Sequence, residues 1–369
     1  MKTFTTLTML LALHAATAAE LRFYVTAGKT ADATQPPGIY TGTLDEQTGK
    51  LSPLTPATTV SKANFLTFSP DKKFLYAASD NQGGSVVAFR MNSDHSLTLL
   101  NEQVADKGTC HVSVDATGRN VFAANYNAGN IAAFRTQDDG SLGARTAFVP
   151  FTGTGPDAKR QAKPHGHAIY ADAANRVVYA CDLGSDSVWI FNLDATKGTL
   201  TPHKQVAAKV PAGSGVRHLA FHPSGKFAYT INELGLSVTT FAVAADGTLT
   251  AGQTIPTLPP DVTATGVTTA EIVCHPSGKW LYVSNRGHES LTAYAIAADG
   301  TLKFLENVPA LVKTPRSFAM DAAGRWLITA GQGDNKIAVL KVDAATGKLS
   351  ATDGAATIGS PACVAFAPR

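Results

Sequence analysis

One short pattern returns seven times along the 369 residues: an apolar run, a turn, and a second run of alternating character. Its fullest copy is Gly215 to Leu234. There Leu219-Ala220-Phe221 leads into His222-Pro223-Ser224-Gly225-Lys226, and Phe227, Tyr229 and Ile231 follow at alternate positions. Alternation on both sides of a tight turn predicts an antiparallel hairpin. The turn begins again at Ser69, Asp115, Asp172, His222, His275, Asp321 and Ala367, at spacings of 46 to 57 residues. A repeat of that length, with strand patterns throughout, predicts a β-propeller or a related array.

Each unit continues alike. A small or polar corner such as Asn232-Glu233-Leu234-Gly235 is followed by a third alternating run, Ser237 to Phe241 in this copy. A hairpin signal, Ala245-Asp246-Gly247-Thr248, then opens a fourth. Four antiparallel strands make one blade. The ends of the chain complete the count: Leu21 to Val25 reads as a second strand with no first, and Pro361 to Pro368 as a first strand with no second. Joined, they make a seventh blade and leave no terminal sheet edge exposed. The expected fold is all-β, a single seven-bladed β-propeller over residues 20–369, closed by its two termini.

Residues 1–19 stand apart. Lys2, the apolar stretch Leu7 to Leu13, and Ala16-Thr17-Ala18 or Thr17-Ala18-Ala19 have the layout of a cleaved secretory signal. The stretch is too short for a membrane span, so the mature protein is expected to be exported, periplasmic or secreted. A formal charge of +3 with no run of like charges gives no footprint for nucleic acid or an anionic membrane. Cys110, Cys181, Cys274 and Cys363 are far apart and form no metal-ligand cluster, so buried free thiols are expected, with a disulfide in an oxidising compartment as the alternative. No cofactor or metal is expected, and the chain should be a monomer or a weak oligomer.

Stacked in register, the units give two informative columns. Ahead of the turn stand Asn64, Cys110, His167, Arg217, Ala270, Arg316 and Ala362; at the end of the second strand stand Asp80, Tyr126, Leu183, Glu233, Arg286 and Gln332. In an antiparallel hairpin both positions lie at one edge, so both columns should ring one mouth of the central channel. Their charged members bunch in consecutive blades: His167, then Arg217 with Glu233, then Arg286, then Arg316. The long connections Phe151 to Lys163 and Thr254 to Thr268 emerge on that face and could wall a pocket.

The segments carrying these residues, PHGHAIYADAANRVVYACDLGSDSV, GVRHLAFHPSGKFAYTINEL, AEIVCHPSGKWLYVSNRGHESL and KTPRSFAMDAAGRWL, resemble the seven-bladed lactonase family. That family contains the propeller-type 6-phosphogluconolactonases and the fungal carboxymuconate cycloisomerases. The resemblance implies an active site of one His, two Arg and one Glu, which fall on His167, Arg217, Glu233 and Arg286. Arg316, in Thr-Pro-Arg-Ser-Phe, also matches a family motif. The usual Gly-Pro-Arg-His is Gly-Val-Arg-His here, and the leader separates this chain from the cytoplasmic phosphogluconolactonase members.

The residue chemistry agrees. Opening a small anionic or sugar-derived lactone needs a base for water, which an imidazole such as His167 can supply. It also needs positive charge for an anionic group or the oxyanion, which Arg217 and Arg286 can supply, while Glu233 could orient a partner or protonate the leaving alkoxide. No GxSxG elbow is present for a serine nucleophile. His165, His218, Arg316, Asn232 and Asn285 are further candidates for substrate binding. Plainer readings stand beside some of these: Arg217 as an ion-paired rim residue, His165 as rim support, and Asn125, Asp182, Asn232 and Asn285 as corner residues bonding their own backbone rather than calcium ligands. His222 and His275 should cap turns on the opposite face. A lactone-forming cycloisomerase and a non-catalytic binding propeller remain alternatives.

Overall fold

The alternating runs form 28 strands in seven four-stranded sheets in the computed structural model, which describes residues 19–28, 35–59, 62–81 and 83–368. The predicted leader, to residue 18, lies outside them. Each complete blade runs outward from the axis in chain order, as in Val216–Phe221, Phe227–Asn232, Ser237–Val243 and Leu249–Pro256. In the closing blade, Val364–Phe366 pairs with Glu20–Ala27, with Phe23 opposite Phe366 and Val25 opposite Val364; Gly38–Asp45 and Thr55–Thr58 follow outward. The seven inner strands contact one another in sequence, and the last returns to the first at Ala63–Phe68, so the ring is closed.

Blades stack face to face, so a second strand is covered on both sides and its side chains are buried whichever way they point. Val177–Asp182 and Asn120–Asn125 are buried at every position, whereas an outer strand such as Leu97–Val104 alternates toward solvent. Apolar clusters fill the seams between neighbouring blades. One joins Tyr179, Cys181 and Val188 to Leu219, Ala228 and Phe241. Side-chain bonds also staple blades together: the hydroxyls of Tyr76, Tyr179 and Tyr282 donate to Gly140, Gly247 and Gly347 of the adjoining blade. The turn histidines share this duty. His222 Nε2 lies 2.9 Å from the Gly278 carbonyl and His275 Nε2 2.9 Å from that of Gly324, each bridging to the next turn. All four cysteines are free.

One feature of the register was hidden in the sequence pattern. In all six complete blades the inner strand carries one residue more than its partner near its start. The shifts fall between Ala63 and Phe65, Thr109 and His111, Gly166 and Ala168, Val216 and His218, Thr269 and Ile272, and Pro315 and Ser317. These are β-bulges, which free a residue from the ladder and re-aim its side chain. The bulged residues in five blades are Asn64, Cys110, His167, Arg217 and Arg316, members of the first sequence column.

Candidate active site

The bulges and the opposing corners meet at one mouth of the channel around a cavity of about 350 Å³. Asn64, Cys110, His167 and Arg316 reach it from bulges, and Asp80, Tyr126, Glu233 and Arg286 from corners or second-strand ends. The other end of the channel opens among the far ends of the same inner strands, at Phe221, Cys274, Met320 and Phe366.

Glu233 is the hub. It stands one residue beyond Phe227–Asn232, where its N–H donates to the Gly215 carbonyl at 2.7 Å. Gly215 has φ +67°, and a Cβ there would meet Leu234 Cγ at 2.7 Å, so this corner requires glycine. The Glu233 carboxylate takes Arg160 Nη2 at 2.6 Å on Oε1; on Oε2 it faces Arg286 Nη2 at 3.0 Å, Arg217 Nε at 3.3 Å and His167 Nε2 at 3.8 Å. Burial alone would raise its pKa, but Arg286, Arg217 and Arg160 outweigh burial and hold it below the ordinary value. Glu233 is therefore an anion at neutral pH and fits the orienting role foreseen for it rather than proton donation.

His167 is 5% exposed. Burial first, and then the Arg217 guanidinium, hold its pKa well below the ordinary imidazole value, so the ring is neutral and open to a proton. Tyr126 packs edge-on against it at 5.3 Å between centroids, and Cys110 Sγ lies 3.9 Å from Nδ1. Burial pushes the Cys110 thiol up to about 12, which leaves it protonated and a poor nucleophile. Arg286 donates to the Thr269 carbonyl at 2.8 Å, and burial brings its pKa down to about 10, so it stays cationic. Arg316 lines the cavity and has neither a carboxylate within ion-pair distance nor a hydrogen-bond acceptor among the described residues.

The remaining candidates separate by location. His165 lies just ahead of the strand Gly166–Ala171, stacks on Tyr126 at 4.3 Å and does not line the cavity. His218 is buried beneath it, its ring 5.3 Å from that of His167 and its Nδ1 2.7 Å from Glu271 Oε1. Asn232 and Asn285 are fully buried in their blades. Asn232 donates to Ser237 and Thr239, and Asn285 to Ser290 and Thr292, so both amides tie the corner to the third strand and neither reaches the cavity. Asp182 does the same, accepting from the backbone of His165 and Gly184 and from Ser185.

Of the two long connections, only one walls the cavity. Phe151 to Lys163 delivers Arg160, which bonds Glu233 and, at 3.1 Å, the Tyr126 hydroxyl. Gln161, fully buried, anchors that loop through bonds to the Leu183 carbonyl and Asp186. Thr254 to Thr268 instead covers a separate apolar cavity of about 430 Å³ with Leu258, Pro259 and Phe304 among its walls. The loop's cations were visible in the sequence, but contact between Arg160 and a glutamate 73 residues away follows only from the fold.

The family model described as "Lactonase, 7-bladed beta-propeller" matches residues 23–366. The chain belongs to the seven-bladed lactonase family. A 6-phosphogluconolactonase of Bacillus subtilis is 32% identical over 339 residues, covering 89% of this chain and 94% of the relative. Another from Formosa agariphila is 32% identical over 324 residues, covering 85% and 90%. Among solved structures, a periplasmic gluconolactonase of Pseudomonas aeruginosa superimposes with a TM-score of 0.86 at 26% identity, covering 95% of this chain and 99% of the other.

Proposed function

We propose that this propeller is a lactone hydrolase, a carboxylic-ester hydrolase acting on a small anionic or sugar-derived lactone. The observation that carries the reading is a neutral, buried imidazole beside a carboxylate that three arginines keep ionised, with a fourth arginine in the same cavity that has no ion-pair partner among the described residues. Relatives named 6-phosphogluconolactonase and gluconolactonase support it.

In this reading, water attacks the lactone carbonyl while His167 takes its proton. The carbonyl oxygen becomes an oxyanion facing guanidinium groups that are already fixed and partly desolvated, where their field acts at little reorganisation cost. Collapse breaks the ring ester bond, and the departing alkoxide recovers the proton from the His167 imidazolium, giving the hydroxy acid. Glu233 holds Arg217, Arg286 and Arg160 in place, and Arg316 is free to bind the substrate's anionic group. His165 and His218 serve as supports, and Asn232 and Asn285 as corner ties.

A pH-stat assay of acid release from gluconolactone, muconolactone and their phosphorylated or carboxylated analogues tests this. Acceleration over the spontaneous rate on at least one member supports hydrolysis. Formation of lactone from an open diacid would instead mark a cycloisomerase, and a panel that only binds would mark a binding propeller. Export rests on the leader and on the periplasmic neighbour. An N-terminus near residue 20 on protein recovered outside the cytoplasm supports it, and an intact Met1 there contradicts it.

A further inference from the structure

Behind the cavity, toward the opposite mouth, lies a second acid and imidazole that the reaction as described does not use. His218 is 1% exposed and Glu271 6%. Glu271 belongs to the bulge of the fifth inner strand, Thr268–Cys274, and lines the cavity of about 460 Å³ at the far mouth. Its Oε1 accepts the Ile272 N–H at 3.1 Å and lies 2.7 Å from His218 Nδ1. An oxygen already accepting from a backbone amide faces Nδ1 as an acceptor, which puts the His218 proton on Nδ1.

The Arg217 guanidinium rests on that ring. Its Nη1 is 3.4 Å from Nδ1 and 3.2 Å from Nε2 of His218, and near-equal distances to the two ring nitrogens place it over the face of the imidazole rather than in its plane. The same Nη1 donates to the carbonyl of Ala270, the residue next to Glu271. A cation over an aromatic face is attracted only while the ring is neutral. The Arg217 guanidinium is thus held from behind by the Ala270 carbonyl and by a ring whose carboxylate partner, among the described residues, is Glu271.

We propose that Glu271 is a positioning residue, which through His218 holds the Arg217 guanidinium against Glu233 at the wall of the active site. This rests on the reading of Arg217 as part of the lactonase site. The titratable and charged groups around Glu271 are His218 and Arg217 from one neighbouring inner strand, Arg316 from the other, and His111, Tyr170 and Cys363 from further round the ring. Burial pushes its pKa up to about 7, against Arg217, and it is reachable from the far mouth, so it titrates in the working range. Protonation removes the charged acceptor for Nδ1, so the positioned state is lost as pH falls.

The test is Glu271→Gln, examined by crystallography and by kinetics across pH. The expected result is a displaced Arg217 guanidinium and a kcat lower by roughly tenfold, the scale seen for outer partners of metal ligands, with KM little changed. Wild-type activity should show a shallow step near pH 7 that the variant lacks, with the His167 limb further acid in both. An unmoved Arg217 and an unaltered pH profile overturn the proposal. If the variant does not fold, long-range ¹H–¹⁵N spectra of the wild type decide: a proton on His218 Nδ1 supports the arrangement, and one on Nε2 overturns it. If the wild type opens no lactone, the lactonase reading fails, while the position of Arg217 in the variant still judges this one.

Discussion

Four guanidinium groups meet two carboxylates at this mouth, Glu233 and Asp80, and among the described residues only Glu233 lies within ion-pair distance of any of them. Glu233 neutralises part of the charge of Arg160, Arg217 and Arg286, and Arg316 is left for a ligand. Removing the carboxylate that pairs with three of them strands buried cations, so Glu233→Gln should destabilise the fold by about 3–5 kcal/mol, read from urea unfolding at neutral pH. The sign of its pH dependence is fixed. A carboxyl lowered on folding contributes stability above its ordinary value of 4.5 and loses it as pH falls through the lower folded value. Wild-type stability should fall in that acid range more steeply than that of the glutamine variant; equal slopes would remove Glu233 as the cause. Residue chemistry was partly legible beforehand. Columns of like position brought His167, Glu233, Arg286 and Arg316 to one mouth because the repeat fixes an edge. The neighbouring corner positions put Asn232 and Asn285 forward as candidates too, since a corner that bonds its own blade and a corner that binds ligand select the same side chains.

At the scale of elements, the bulge converts a propeller strand into a functional one. Alternation in Val216–Phe221 reads as an ordinary strand, and nothing in the residue types marks the extra residue that turns Arg217 toward the axis. The hairpins were readable because turn chemistry is local; the bulges were not, because they arise from pairing to the neighbouring strand. Two consequences can be measured. Gly215→Ala forces a Cβ onto Leu234 at positive φ and should cost about 1–2 kcal/mol. It should also lower turnover, since the Gly215 carbonyl holds the Glu233 amide; unchanged denaturation and kinetics would show that the corner is slack. Arg160→Ala takes one half-exposed cation from the mouth, with its bonds to Glu233 and Tyr126, and leaves every strand intact, so KM should rise while the unfolding midpoint moves little. A lowered midpoint with unchanged KM would make Arg160 a structural tie.

As a whole molecule the propeller depends on closure. Each blade buries its faces only against neighbours, and the last inner strand, Val364–Phe366, is the only one supplied from the far end of the chain. Truncation after Ser360 should open the ring, expose the edge at Glu20–Ala27 and abolish cooperative unfolding; a truncated chain with native near-ultraviolet circular dichroism would contradict that. Ring architecture was the most legible level, because seven copies of one turn allow few arrangements. It also explains why chemistry from residues 160 to 316 converges: an inner strand contributes to one mouth whatever its place in the chain. The most direct measurement is the initial rate of acid release from one lactone, taken side by side for the wild type and a folded His167→Ala variant. We predict catalysed opening by the wild type and a rate lower by roughly two orders of magnitude or more in the variant; equal rates would show that the imidazole at this mouth does not carry the reaction.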